Sequence, residues 1–193
     1  MRMRAGWVMV AALAGCSPSY DAVLPDPEQG TVAENGATLD ASGRVRRLAP
    51  FRAKVLVLRR KDYPAKPDDP MFEFAPVDMV MAWGRAGLRA SRDGVSLAQG
   101  NRRYGWQAGG EAWSRKDVKE FGLHTANWHL VPADDRVRDD LDDVSKGDVV
   151  EIEGDLVTLT LAGGAVARSS TRRDDDGDGA CEIVRVRSIR AVD

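Results

Sequence analysis

From residue 147 onward the chain is written in short apolar runs cut by glycine. Val149–Glu153 and Leu156–Leu161 flank Gly154-Asp155, Gly163-Gly164 follows, and Val166–Thr171 and Glu182–Ile189 complete the series. Runs of this length, rich in Val, Ile, Leu and Thr and bounded by Gly or Asp, are strand signals, and the intervening dipeptides are hairpin signals. In the last run Val184 and Val186 alternate with Arg185 and Arg187, so one face is apolar and the other charged. The C-terminal part therefore commits the fold to a sheet. Upstream, Phe51–Leu58 alternates and then turns wholly apolar, as a strand entering a sheet would. Gly94–Gln99 and Arg102–Gln107 read as hairpin arms around Gly100-Asn101, and 124–132 reads as extended.

Helical signals are fewer. Pro76–Trp83 reads as a short helix opened by its proline, with Val77, Val80, Met81 and Gly84 on one face. Ser114-Arg-Lys-Asp117 is a capping-box variant that opens a helix to Phe121. Ala133–Val144 carries Val137, Leu141 and Val144 at i, i+4 and i+7. About seven strands and two or three short helices give an α+β domain over 44–193, either a small curled antiparallel sheet or an OB-like barrel.

With 43% hydrophobic and 30% charged residues in 193, the composition is that of one globular domain with an appendage, which excludes a multispanning membrane protein or a collagen-like repeat. The formal charge is −2, so no excess of positive charge points to nucleic acid, and no nucleic-acid partner is expected. Two cysteines and two histidines exclude a disulfide framework, a four-cysteine zinc site and a histidine-rich metal centre.

The appendage is at the N-terminus. Arg2 and Arg4 precede ten uncharged, mainly apolar residues, 5–14, roughly half of what a ~30 Å hydrocarbon core requires. Such a segment is a signal-peptide h-region, not a transmembrane helix. Leu13-Ala14-Gly15-Cys16 then resembles the lipobox of bacterial lipoprotein precursors. The resemblance implies diacylglycerol thioether-linked to Cys16, cleavage before it and acylation of the new N-terminus, the membrane being the partner of that lipid. Ser17 stands where an Asp would resemble an inner-membrane retention signal, so the resemblance favours the outer membrane, facing the periplasm. Cleavage removes two arginines and no acid, leaving a formal charge near −4. Residues 16–43, with Pro18, Pro25, Pro27, Gly30, Gly36 and Gly43 and no sustained period, read as a lipidated, disordered tether.

Two charged stretches follow. Arg44–Lys61 holds eight bases and no acid; it is either a strand with solvated basic residues, the favoured reading, or a patch for anionic lipid headgroups. Asp134–Asp148 holds seven acids against three bases.

Four stretches carry a second resemblance: 75–84 (Ala-Pro-Val-Asp-Met-Val-Met-Ala-Trp-Gly), 125–133 (Thr-Ala-Asn-Trp-His-Leu-Val-Pro-Ala), the pair Gly147-Asp-Val-Val150 and Gly154-Asp-Leu-Val157, and Ser169–Asp174 through Gly179–Glu182. From Phe51 to the C-terminus the domain resembles a widespread group of exported bacterial proteins to which no activity is attached. The resemblance thus implies export and transfers no catalytic residue.

Candidate chemistry comes from polar residues in those stretches. His129 would serve as a general base and Arg172 as an anion clamp of a phosphodiester-type hydrolase, with Asn127 and Glu182 nearby. No nucleophile elbow, paired-carboxylate motif or HExxH accompanies them. Tyr104, Trp106, Trp113 and Trp128 are either core or a stacking platform for a base or sugar, core packing being favoured. Asp174, Asp176, Asp178 and Gly179 match the first half of a calcium loop, but Arg185 stands where its bidentate acid belongs, so an acidic turn is favoured over a calcium site. Cys181 reads as a small core residue of the last strand. The function expected is a lipid-anchored, non-enzymatic module that binds an envelope protein or a ligand; the alternative is the exported hydrolase.

Overall fold

The computed structural model describes residues 22–66, 68–88, 92–109, 113–172, 175 and 180–192. Its chemistry is arranged on one strongly curled sheet. Strand β2 (Val45–Asp62) is long enough to serve two edges, pairing antiparallel with β3 (Val77–Ala82) through its second half and with β7 (Val149–Thr160) through its first. Next to β3 runs β6 (Thr125–Pro132), next to β6 runs β9 (Glu182–Val192), and β9 returns to β7. The strands β2, β3, β6, β9 and β7 thus close a ring of hydrogen bonds. Four of the five pairings are antiparallel; β6–β9 is parallel, which corrects the expectation of an all-antiparallel sheet. Two short strands, β1 (Glu28–Gln29) on β2 and β8 (Val166–Arg168) on β7, extend the edges.

A register shift between Arg47 and Ala49 and another between Glu153 and Gly154 bend the long strands, as bulges do. A Cβ on Gly154 would meet the Arg185 carbonyl oxygen at 2.3 Å, so only glycine lets β9 pass. That is why Gly154-Asp155 continues one strand instead of turning between two, as the dipeptide had suggested. The other reassignment is 77–82. It is a strand, not a helix, and all six residues are buried. Both faces are covered, so the alternation that betrays a strand is missing.

The main core includes Phe51, Met79, Met81, Trp128, Ile152 and Val184, with Phe51 edge-on to Trp128 at 5.2 Å. Helix α2 (Asp135–Asp142), capped by Asp134 Oδ1 accepting from Val137 N–H at 2.9 Å, buries Val137 and Leu141 against it. Between β3 and β6 the chain inserts a hairpin, β4 (Val95–Gly100) and β5 (Arg103–Ala108), and helix α1 (Arg115–Leu123), whose capping box joins Ser114 and Asp117 as the sequence indicates. Trp106, Trp113 and Phe121 pack together beneath this insertion.

The segment 22–43 is docked rather than free. Leu24 is buried and its carbonyl accepts from Gly84 N–H at 2.9 Å. Further on, Gly30 N–H donates to Pro50 O, Ala33 N–H to Leu48 O and Leu39 N–H to Val45 O. A Cβ on Gly36 would sit 1.9 Å from the Arg47 carbonyl oxygen. The expected tether is therefore corrected over these residues: backbone hydrogen bonds, invisible to side-chain periodicity, hold them. Residues 1–21, with the leader and Cys16, lie outside the described residues.

Candidate functional site

Strand alternation places Asp78 on β3 and Asn127 and His129 on β6 on the same face, with Asp78 and His129 directly opposite each other. The inserted hairpin folds over that face. Its tight turn is Asn101-Arg102, both with positive φ (50° and 62°), one residue beyond the expected Gly100-Asn101. Left-handed backbone is unfavourable for arginine, and here the side chain's contacts fix it.

Those contacts are dense. The Arg102 guanidinium donates to Asp69 Oδ2 at 2.7 Å, Asp78 Oδ1 at 2.9 Å and Ala75 O at 2.8 Å, and lies 3.8 Å over the Tyr63 ring. Its own N–H donates to Tyr63 Oη at 3.1 Å. Asp78, fully buried, is the hub: its Oδ2 accepts from Asn127 Nδ2 at 3.3 Å, and its Oδ1 lies 2.9 Å from His129 Nδ1. Asn127 Oδ1 in turn accepts from Gln99 Nε2 at 2.8 Å. The hairpin is thus clamped to the ring through one carboxylate. Burial and the Asp78 charge push the Tyr63 phenol up to about 12.

Burial favours the uncharged His129 ring, but Asp78 and the Cys181 thiol within hydrogen-bond reach outweigh that and push its pKa up to about 9. Asp78 and Asp69 against Arg102 and His129 leave the cluster electrically balanced, which is the condition for burying charge at tolerable cost.

Beside the cluster opens a cleft of about 1100 Å³. Met71 lines it from the loop joining β2 and β3; Tyr104 and Trp106 come from the hairpin, Lys119 from α1, Thr125, Asn127 and His129 from β6, Arg168 from the end of β8, and Cys181 and Glu182 from the start of β9 and the residue before it. Three of the four residues singled out for catalysis, Asn127, His129 and Glu182, converge on this cleft, whereas Arg172 is not part of its lining. Arg172 instead closes a local turn, its N–H donating to Ser170 Oγ at 3.0 Å. Cys181, expected as a core residue of the last strand, is partly exposed just before β9.

Asp78 and Arg102 were missed by the motif reading. The signal for Asp78 was a single acid inside an apolar run, Val77–Ala82, which buries a charge whichever element forms. Of the aromatics, Trp128 is fully buried and Tyr104 donates to Thr125 O at 2.8 Å. The basic run of β2 is mostly neutralised within the protein, since Arg44, Arg47, Arg52, Lys54 and Arg60 meet Glu73, Asp155, Glu28, Glu151 and Asp62 respectively. Among the described residues no group of acids, histidines and cysteines is arranged to hold a metal ion, and Asp174, Asp176 and Asp178 lie outside them. No helix among the described residues is long and apolar enough to cross a membrane.

Compared with protein-family models, with curated proteins and with solved structures, the chain finds no match.

Proposed function

We propose that this chain is a lipid-anchored protein of the bacterial envelope whose ring of strands is an OB-type barrel carrying a binding cleft for a small polar ligand of the oligosaccharide class. The observation that carries the reading is the position of the cleft. OB barrels bind along their second and third strands, between the loops that join strands one to two and four to five. In this chain those strands are β3 and β6, and the cleft takes its walls from β6 and both loops. The step from fold to ligand class is an analogy, and the lining supports it: amide, hydroxyl and charged groups beside Tyr104 and Trp106 suit a hydroxyl-rich ligand that stacks one sugar face. Three of the four stretches that carry the resemblance to exported proteins contribute lining residues, among them Asn127, His129 and Glu182. A phosphodiester hydrolase built on His129 and Arg172 has less support, because only one of the two faces the cleft.

Lipid on Cys16 and export to the outer membrane, with the periplasm as the facing compartment, rest on the leader and lipobox. Because the chain is docked from Leu24, seven residues lie between Cys16 and the domain, a reach of about 27 Å at full extension. The cleft therefore works close to the membrane surface.

The test is a titration of the full mature lipoprotein in detergent with an N-acetylglucosamine tetrasaccharide, read by tryptophan emission. A saturable change that Asn127→Leu abolishes, with no response to single-stranded DNA, is expected. No saturable response to any neutral or acidic oligosaccharide would overturn the ligand class. Cys16→Ala releasing the protein from the membrane fraction is the matching result for the anchor, and unchanged membrane retention would contradict it.

A further inference from the structure

We propose that Cys181, His129 and Asp78 form a nucleophilic site that takes an acyl group from an ester carried by the ligand in the cleft. The inference rests on the cleft being the binding site and adds a covalent step to it. Three observations converge. The parallel register pairs His129 with Ile183, and Cys181, just before β9, lies within hydrogen-bond reach of the His129 ring. Both side chains line the cleft, His129 with its ring almost wholly buried and Cys181 partly exposed, so the sulfur is reachable while the imidazole is sheltered from water. Behind the imidazole, Asp78 Oδ1 sits 2.9 Å from Nδ1 and accepts from Arg102, while Asn127 donates to the other oxygen, Oδ2. A nucleophile, an acid–base group and an orienting carboxylate in series is the arrangement that activates thiols for acyl transfer. The raised proton affinity of His129 agrees with it, since Asp78 and the Cys181 thiol are both among its causes.

The step balances without any further reagent. The sulfur attacks the carbonyl carbon; the C–S bond forms, the C–O bond to the leaving alcohol breaks, and the leaving oxygen takes the proton from His129. Water then attacks the thioester carbon while giving a proton to the now neutral imidazole. The carboxylic acid departs, and the thiolate and imidazolium are restored. Asp78 touches no reacting atom and is a positioning residue.

The experiment incubates the full lipoprotein with p-nitrophenyl acetate, a small acyl donor that does not depend on knowing the ligand. It follows nitrophenolate release and maps the acetyl group by mass spectrometry. Acetyl on Cys181, turnover lost in Cys181→Ser, and rates at least roughly 100-fold lower in His129→Gln are expected. In Asp78→Asn the pH at which acylation falls should move down together with the His129 titration, which a purely structural role would not produce. Because His129→Gln removes a buried charge and risks misfolding, iodoacetamide labelling supplies a reading on the unaltered protein. Cys181 in the native chain should react about tenfold faster at neutral pH than in the same chain unfolded in urea. Native labelling no faster than unfolded, or no adduct on Cys181, overturns the proposal. A chain that binds the tetrasaccharide but shows neither keeps the binding reading and loses this one. A chain that is acetylated on Cys181 without binding the tetrasaccharide keeps this one and loses the ligand class.

Discussion

Two buried carboxylates divide the molecule into a part that is braced and a part that is available for chemistry. Asp155 on β7 is met by Arg47 of β2 at 2.8 Å and Arg187 of β9 at 2.6 Å, so among the described residues its ion-pair partners stand on neighbouring strands of the ring. Asp78 on β3 is also buried and also meets two cations, but its partners belong to different kinds of structure: Arg102 to an inserted hairpin, His129 to the adjoining strand, and Asn127 to the hydrogen-bond chain running on to Gln99. The arginines at Asp155 are 39% and 44% exposed, whereas Arg102 is 16% and His129 6% exposed. Water therefore reaches the cations around Asp155 far more than those around Asp78. The lesson is that the same pairing is a cross-brace where solvent reaches the cations, and a tuned site where it does not.

That difference can be broken experimentally, and the largest effect falls on Asp78. Asp78→Asn leaves Arg102 paired with Asp69 alone and takes the buried carboxylate from His129, and should cost about 3–5 kcal/mol in urea unfolding, the usual cost of breaking a buried ion pair. A loss no greater than that of Asp155→Asn would remove the distinction. Next in size is the pH dependence of stability. With His129 raised from 6.5 to about 9 in the folded chain, its contribution is fully present below about pH 6.5 and is lost as pH rises through about 9, on the order of 3 kcal/mol in total. Denaturation midpoints between pH 6 and 9.5 should show that decline, and His129→Gln should flatten it. Asp155→Asn should cost about 2 kcal/mol, because Arg47 and Arg187 can rehydrate. It should leave the His129 titration where it was, since Asp155 takes no part in that cluster. The smallest change is Arg102→Lys, about 1 kcal/mol, since an ammonium keeps the charge but cannot span Asp69 and Asp78 together. Faster amide exchange confined to β4 and β5 would identify its origin, and uniform exchange would argue against the hairpin clamp.

The parts of this arrangement that were readable in the sequence are those governed by local rules. The Ser114–Asp117 capping box, the Val137–Leu141–Val144 stripe and the extended run at 124–132 depend on spacing within one element; the box is present, α2 covers Val137 and Leu141 with Val144 buried just past its end, and the strand begins at Thr125, one residue later than expected because His124 caps α1. What was unreadable depends on the partner across the sheet. Val77–Ala82 looks helical because both faces are covered, and Gly154 looks like a turn because its need for a bare Cα comes from Arg185, thirty-one positions away. Segment 22–43 looks free because it docks through its backbone. The same limit applies to the site. His129, Asn127 and Glu182 stood out as polar residues in otherwise apolar stretches, yet their convergence with Cys181 depends on the parallel β6–β9 pairing. Arg102 owes its place to a turn set one residue later than its glycine suggested.

The claim on which the rest depends is that Asp78 holds His129 as a buried imidazolium at the wall of the cleft. A titration of the His129 ring resonances by NMR measures this directly. The account predicts a midpoint near 9 that falls toward the ordinary histidine value in Asp78→Asn and stays unchanged in Asp155→Asn. A midpoint near 6.5 in the unaltered protein would contradict it.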